Sequence, residues 1–159
     1  MLTNNTVVVD DGESEEVTLY NQRAKMYVME KGVGWKERGA GILKVNVPEV
    51  TVLIDDNGVP NPLSFDASAL DDGSAHAKNI RLIMRQDHTL KVILNTIVLP
   101  AMKFQVTHKL KSATILFTAF DGNEPIQVQM KVRHPLLESM KENLLANNFV
   151  CIDVASQCQ

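Results

Sequence analysis

Trp35-Lys36-Glu37-Arg38-Gly39 stands between a glycine-rich turn and an apolar segment punctuated by a second glycine, Gly41. An aromatic residue followed by three alternating charges suits a strand with one side in water. Two glycines one residue apart inside such a strand mark a backbone that bulges, or that another segment approaches closely. Upstream, Lys31-Gly32-Val33-Gly34 reads as a turn. Before it, Tyr20, Gln22, Ala24, Met26 and Val28 fall on one side of an extended segment and Asn21, Arg23, Lys25 and Tyr27 on the other. That period of two is the signature of a half-buried strand, so strands are expected over 19–30 and 35–47, the first displaying basic residues to solvent.

Residues 47–78 break the pattern. Asp55-Asp56-Asn57-Gly58, Pro60, Pro62 and Asp71-Asp72-Gly73-Ser74 are turn chemistry, and the segment reads as a long insertion, mobile in part and removable at small loop-closure cost. Strand character returns at 80–85, where Ile80, Leu82 and Met84 alternate with Arg81 and Arg85. Gln86-Asp87-His88-Thr89 is the expected hairpin connection to a strand over 90–96, and three further short strands follow at 102–106, 113–120 and 125–133. Pro135 then opens a helical pattern carried by Leu137, Met140 and Leu144. The fold class is mainly β: seven antiparallel strands in a small sandwich or barrel, capped by one C-terminal α-helix, the pleckstrin-homology-like plan. Residues 1–16 form an acidic arm expected to be flexible, 17–150 the domain, and 151–159 a tail.

The 159 residues leave room for one domain. No apolar run reaches the roughly 18 residues of a membrane span, and residues 1–22 hold no Lys or Arg to begin a secretory signal, so the chain reads as intracellular. Cys151 and Cys158 show no disulfide framework and read as free thiols. The net charge of −3 conceals segregation: residues 1–22 carry five acids and no base, and 47–78 carry six acids against Lys78. The remainder holds 15 bases and 8 acids. A basic body with two acidic appendages suits a partner bearing separate patches of both signs better than a nucleic acid.

With Gln22-Arg23-Ala24-Lys25 before it, and Met84-Arg85 to Leu90-Lys91-Val92 after it, the Trp35–Gly39 motif closely resembles the Ran-binding domain over about residues 13–150. Within that family, Val92-Ile93-Leu94-Asn95-Thr96 and the insertion look most like the nuclear Ran-binding protein three type and its fungal relatives. The resemblance implies a partner, the GTPase Ran in its GTP form, and a role as accessory factor in exportin-dependent nuclear export, hence a nuclear, shuttling location. It implies no cofactor of the chain's own, since GTP and Mg²⁺ travel with Ran. It places Trp35, Lys36 and Arg38 at Ran's switch surface. Arg23, Lys25, Arg81, Arg85 and Lys91 become candidates for capturing Ran's acidic C-terminal tail, and Glu13, Glu15 and Glu16 for a reciprocal contact with a basic patch on Ran.

Each assignment has a plainer rival. Trp35 also suits a small β core, the five bases also suit ordinary surface, and the acidic arm a solubilising tail. Catalysis is not expected: His76, His88, His108 and His134 lack metal-ligand spacing, and no glycine-rich loop precedes a helix. The alternative from another class is a pleckstrin-homology-like module binding phosphoinositide at a membrane, for which Lys31 and Lys36 are the bases on the first hairpin.

Overall fold

The computed structural model describes residues 12–70, 79–99 and 101–133, and the backbone of 151–155. Among the described residues eight strands form one sheet: β1 (Glu16–Glu30), β2 (Gly34–Pro48), β3 (Ile80–Gln86), β4 (Val92–Val98), β5 (Lys103–His108), β6 (Ser112–Asp121), β7 (Glu124–Arg133) and β8 (Cys151–Ala155). Their order is β4-β3-β2-β1-β7-β6-β5-β8. The first seven pair antiparallel, whereas β8 lies parallel to β5. The expected sandwich or barrel is therefore corrected to one open sheet. Among the described residues the only helical pieces are 3-10 turns, and the C-terminal helix expected from Pro135 lies outside those residues. Residues 151–155, expected as tail, are an edge strand.

The sheet can enclose a core because its long central strands are interrupted. Register shifts fall at Thr18/Tyr20 and Met26/Tyr27 in β1–β2, and at Met84/Arg85 in β3–β4. Each interruption bends the strand and adds twist. The curl brings β4 toward β6, where the Phe120 amide donates to the Thr96 hydroxyl at 3.1 Å. Inside the curl, period-two alternation supplies the core. Ala24 and Met26 on β1, Leu82 and Met84 on β3, Ile115 and Phe117 on β6, and Val128, Met130 and Val132 on β7 are all buried. Met26 and Met130 face each other across β1–β7 and are both fully buried.

The expected insertion begins too early and is not all excursion. Val47, in β2, is fully buried, and beyond the strand Thr51, Val52 and Phe65 are buried as well. Ile54, Ala67 and Leu70 pack against the same core. The reason is visible in the backbone, where the Asp66 amide donates to the Thr51 carbonyl at 2.8 Å and folds residues 52–65 back onto the sheet.

Candidate functional site

Strand register places the candidate bases in rows on the convex side of the sheet, because paired residues share a side and side chains alternate along each strand. One row is Arg23–Ile42–Arg85, the next Asn21–Lys44–Ile83–Asn95, and a third Asn46–Arg81–Ile97. Lys25, opposite Ala40, extends the series toward the β1–β2 hairpin. Ile42, between two arginines, is 39% exposed, whereas Ile83, between Arg81 and Arg85 along β3, is buried.

The described end of the acidic arm, residues 12–16, lies across these rows, and residues 1–11 lie outside the described residues. Glu13 sits 3.6 Å from the Lys44 ammonium and 3.3 Å from the Arg85 guanidinium. Glu16 accepts from Arg81 Nε at 2.7 Å and from a terminal guanidinium nitrogen at 2.8 Å. The buried Asn46 amide donates to both carboxylates, and its oxygen accepts from the Thr18 hydroxyl at 2.8 Å. Arg81 reaches further, donating to the Gly12 carbonyl at 2.7 Å. Charge-assisted pairs of this fork-like kind fix both energy and geometry. Glu15 is exposed, while its carbonyl accepts from the Glu49 amide at 3.0 Å.

The remaining candidate bases divide. Arg23 makes a bidentate pair with Asp87 in the β3–β4 turn. The hydrogen bond from Arg23 holds the Asp87 carboxyl below its ordinary range, with burial opposing and the charges of Arg23 and His88 assisting. The same bond raises the Arg23 guanidinium further above its ordinary value. Lys25 lies 3.9 Å from Glu37. Lys91 is exposed at the mouth of a groove of about 1150 Å³ that runs along β4 and is lined also by Arg38, Ile93, Ile97, Phe120 and Ile126.

The aromatic motif is split between the two sides of the sheet. Trp35 pairs with Met29 on the side that carries Lys25 and Arg23, and the two are 39% and 42% exposed, with Val33 beside them in the turn at 70%. Trp35 is thus a surface residue and not a core aromatic. Lys36 pairs with Val28, hence on the other side, and meets Glu30 at 3.4 Å. Arg38 is the extra residue of the bulge, since Met26 faces Gly39 and Tyr27 faces Glu37. It reaches the Ile93 carbonyl at 3.4 Å and Asp121 at 3.6 Å, bracing β4 against the end of β6.

The RanBP1 domain profile matches residues 8–52 and 72–149, and so takes in both the arm network and the Trp35 motif. The chain belongs to the RanBP1 domain family. It is 60% identical over 147 residues to the nucleoporin NUP56 of Chaetomium thermophilum, an alignment covering 88% of this chain and 28% of that protein. It is 32% identical over 116 residues to the E3 SUMO-protein ligase RanBP2 of Pan troglodytes, covering 72% of this chain and 3% of that one. The chain thus spans under a third of either curated relative. The Ran binding domain of Nup2 from Ashbya gossypii shares the fold, with a TM-score of 0.51 at 20% identity over 84% of this chain and 92% of that one.

For a RanBP1 domain, a binding module, the instructive residues are those that sequence reasoning passed over. Lys44 and Asn46 alternate outward on β2 and were legible as such, yet neither belongs to a motif. Asp87 lies in a turn and Asp121 ends β6, and only the fold reveals that they neutralise Arg23 and Arg38.

Proposed function

We propose that the convex face binds the small GTPase Ran in its GTP form, with the exposed Trp35–Met29 end against the switch surface and the basic rows receiving Ran's acidic C-terminal tail. The observation that carries this reading is the arm itself: Lys44, Arg81 and Arg85 already hold two carboxylates three residues apart in sequence. A face that seats Glu13 and Glu16 has the spacing and donors to seat an acidic tail. Arg23, Lys25 and Lys91 extend it at the rim, and Lys36 and Arg38 approach the switch surface from the opposite side of the strand.

In this reading the arm and the tail exchange places. When Ran's tail takes Arg81 and Arg85, Glu13 and Glu16 are released with Glu15 toward a basic patch on the GTPase. GTP and Mg²⁺ belong to Ran. The names of the relatives support a place at the nuclear pore, and an accessory role in exportin-dependent export with shuttling is the finer form of the same proposal. The phosphoinositide alternative gains no support, because Lys36 on the first hairpin is engaged by Glu30.

Calorimetry against Ran loaded with GTP and with GDP tests the proposal. Strong preference for the GTP form, weakening with salt as exposed charge pairs are screened, is the expected result. Equal affinity for both forms would overturn it.

A further inference from the structure

The family profile passes over residues 53–71, and the described part of that segment, 53–70, is not an unstructured loop. Asp55 Oδ1 accepts from the amides of Asn57 and Val59 at 2.9 and 2.8 Å, and the Gly58 amide returns to the Asp55 carbonyl at 2.9 Å. Gly58, at φ +79°, occupies the left-handed position that such a tight turn requires. Asp55 and Val59, and Leu53 and Asn61, are joined by backbone hydrogen bonds of 3.0 and 2.9 Å, making a miniature hairpin around the Ile54–Pro60 bridge. The Ser64 hydroxyl accepts from the Leu53 amide at 2.8 Å, which fixes the following turn, with Leu63 in it, beside the hairpin.

Ile54 packs against the core, so its neighbours in the hairpin, Leu53 on one limb and Val59 on the other, turn away from it. Leu53, Val59 and Leu63 are 72%, 57% and 83% exposed. Scattered exposed aliphatics need no explanation, but these three project from one hydrogen-bonded platform anchored by the buried Val52 and Phe65. The segment that carries them is of one sign: residues 49–70 contain Glu49, Asp55, Asp56 and Asp66 and no Lys, Arg or His.

We propose that this hairpin is a docking surface for a basic, amphipathic segment of a partner protein. The acidic charge of the segment selects the occupant. A second copy of the chain would set carboxylates against carboxylates, and an anionic lipid surface would be repelled, whereas apolar residues flanked by Lys or Arg satisfy both the aliphatics and the acids. The three apolar residues of the surface lie outside the family match, and the proposal is independent of the Ran-binding reading.

The probe is a synthetic peptide with leucines at helical spacing and lysines elsewhere, titrated into the isotope-labelled full chain, beside a scrambled peptide of identical composition. Resonance shifts confined to residues 49–66, with binding at least about tenfold weaker for the scramble, are expected. The variant Leu53→Ser/Val59→Ser/Leu63→Ser should weaken the ordered peptide by about tenfold or more, and Glu49→Lys/Asp56→Lys by several-fold. Leu63→Ser alone, at the most exposed position, serves if the triple variant melts early. No binding, equal binding of the scramble, shifts on the convex face, or affinity unchanged by the serine variants would overturn the proposal. So would concentration-dependent dimerisation abolished by the same variants, which would make the occupant a second copy.

Discussion

At Gly41 the polypeptide leaves no room for a side chain. A Cβ built there would stand 1.9 Å from the Arg85 carbonyl oxygen, a backbone atom of the neighbouring strand that cannot swing aside. The glycine pair in β2 was legible as a site of bending or close approach, and Gly39 at the bulge and Gly41 at the strand contact divide those two roles. The identity of the approaching atom was not legible, because it lies 44 residues away in a strand whose register only the fold sets. Gly41→Ala is therefore expected to cost about 1–3 kcal/mol, in the range of overpacked cores. That is a fall of several degrees in the thermal midpoint, and a midpoint within one degree of the parent would show that β3 yields. Trp35 makes the opposite case. Because it is surface-exposed, Trp35→Ala should leave the midpoint within about 2 °C of the parent while weakening the Ran complex by about 2 kcal/mol, as an interface anchor does. A large loss of stability with affinity intact would return Trp35 to the core.

At the scale of elements, the strands were readable where one side is buried and the other wet. β1, β6 and β7 keep the period of two that their sequences show, and the β3–β4 turn falls on Asp87–Thr89 as its residues suggest. Sequence alone makes the acidic arm look flexible, because nothing local holds it. What holds Glu13 and Glu16 is a set of bases about 30 to 70 residues away, and such pairing has no period to betray it. The consequence is competitive. Glu13→Gln/Glu16→Gln removes the charges that occupy Lys44, Arg81 and Arg85 without shortening the chain. The partly buried network should lose on the order of 1–2 kcal/mol of stability, between the values for exposed and buried pairs. An acidic peptide, free of the intramolecular competitor, should bind several-fold more tightly. Anisotropy with a labelled Asp/Glu-rich peptide at low salt measures it. Affinity that falls instead would mean that Glu13 and Glu16 orient the arginines for the tail and do not compete with it.

For the whole molecule, the open sheet explains why the insertion could not be judged from composition. A closed barrel would fill its own interior, and a loop rich in Asp, Pro and Gly would then be dispensable at little entropic cost. One curled sheet instead leaves an open margin, and residues 51–65 fold back across it with Thr51, Val52 and Phe65 buried. The turn chemistry at Asp55–Gly58 is legible in the sequence and forms a turn, but the apolar anchors flanking it are too sparse to show a period. Two large apolar side chains two residues apart separate the possibilities. Phe65 is 5% exposed and joins the core, whereas Leu63 is 83% exposed. Phe65→Ala should therefore cost about 3 kcal/mol or more, as truncation of a buried aromatic does, and Leu63→Ala should stay within about 0.5 kcal/mol, as surface changes do. Denaturant melts of the two variants measure the contrast directly, and replacing residues 50–76 by a short Gly/Ser linker should lower stability at least as much as Phe65→Ala. Equal, small effects from all three would mean that the sheet closes its core without the insertion.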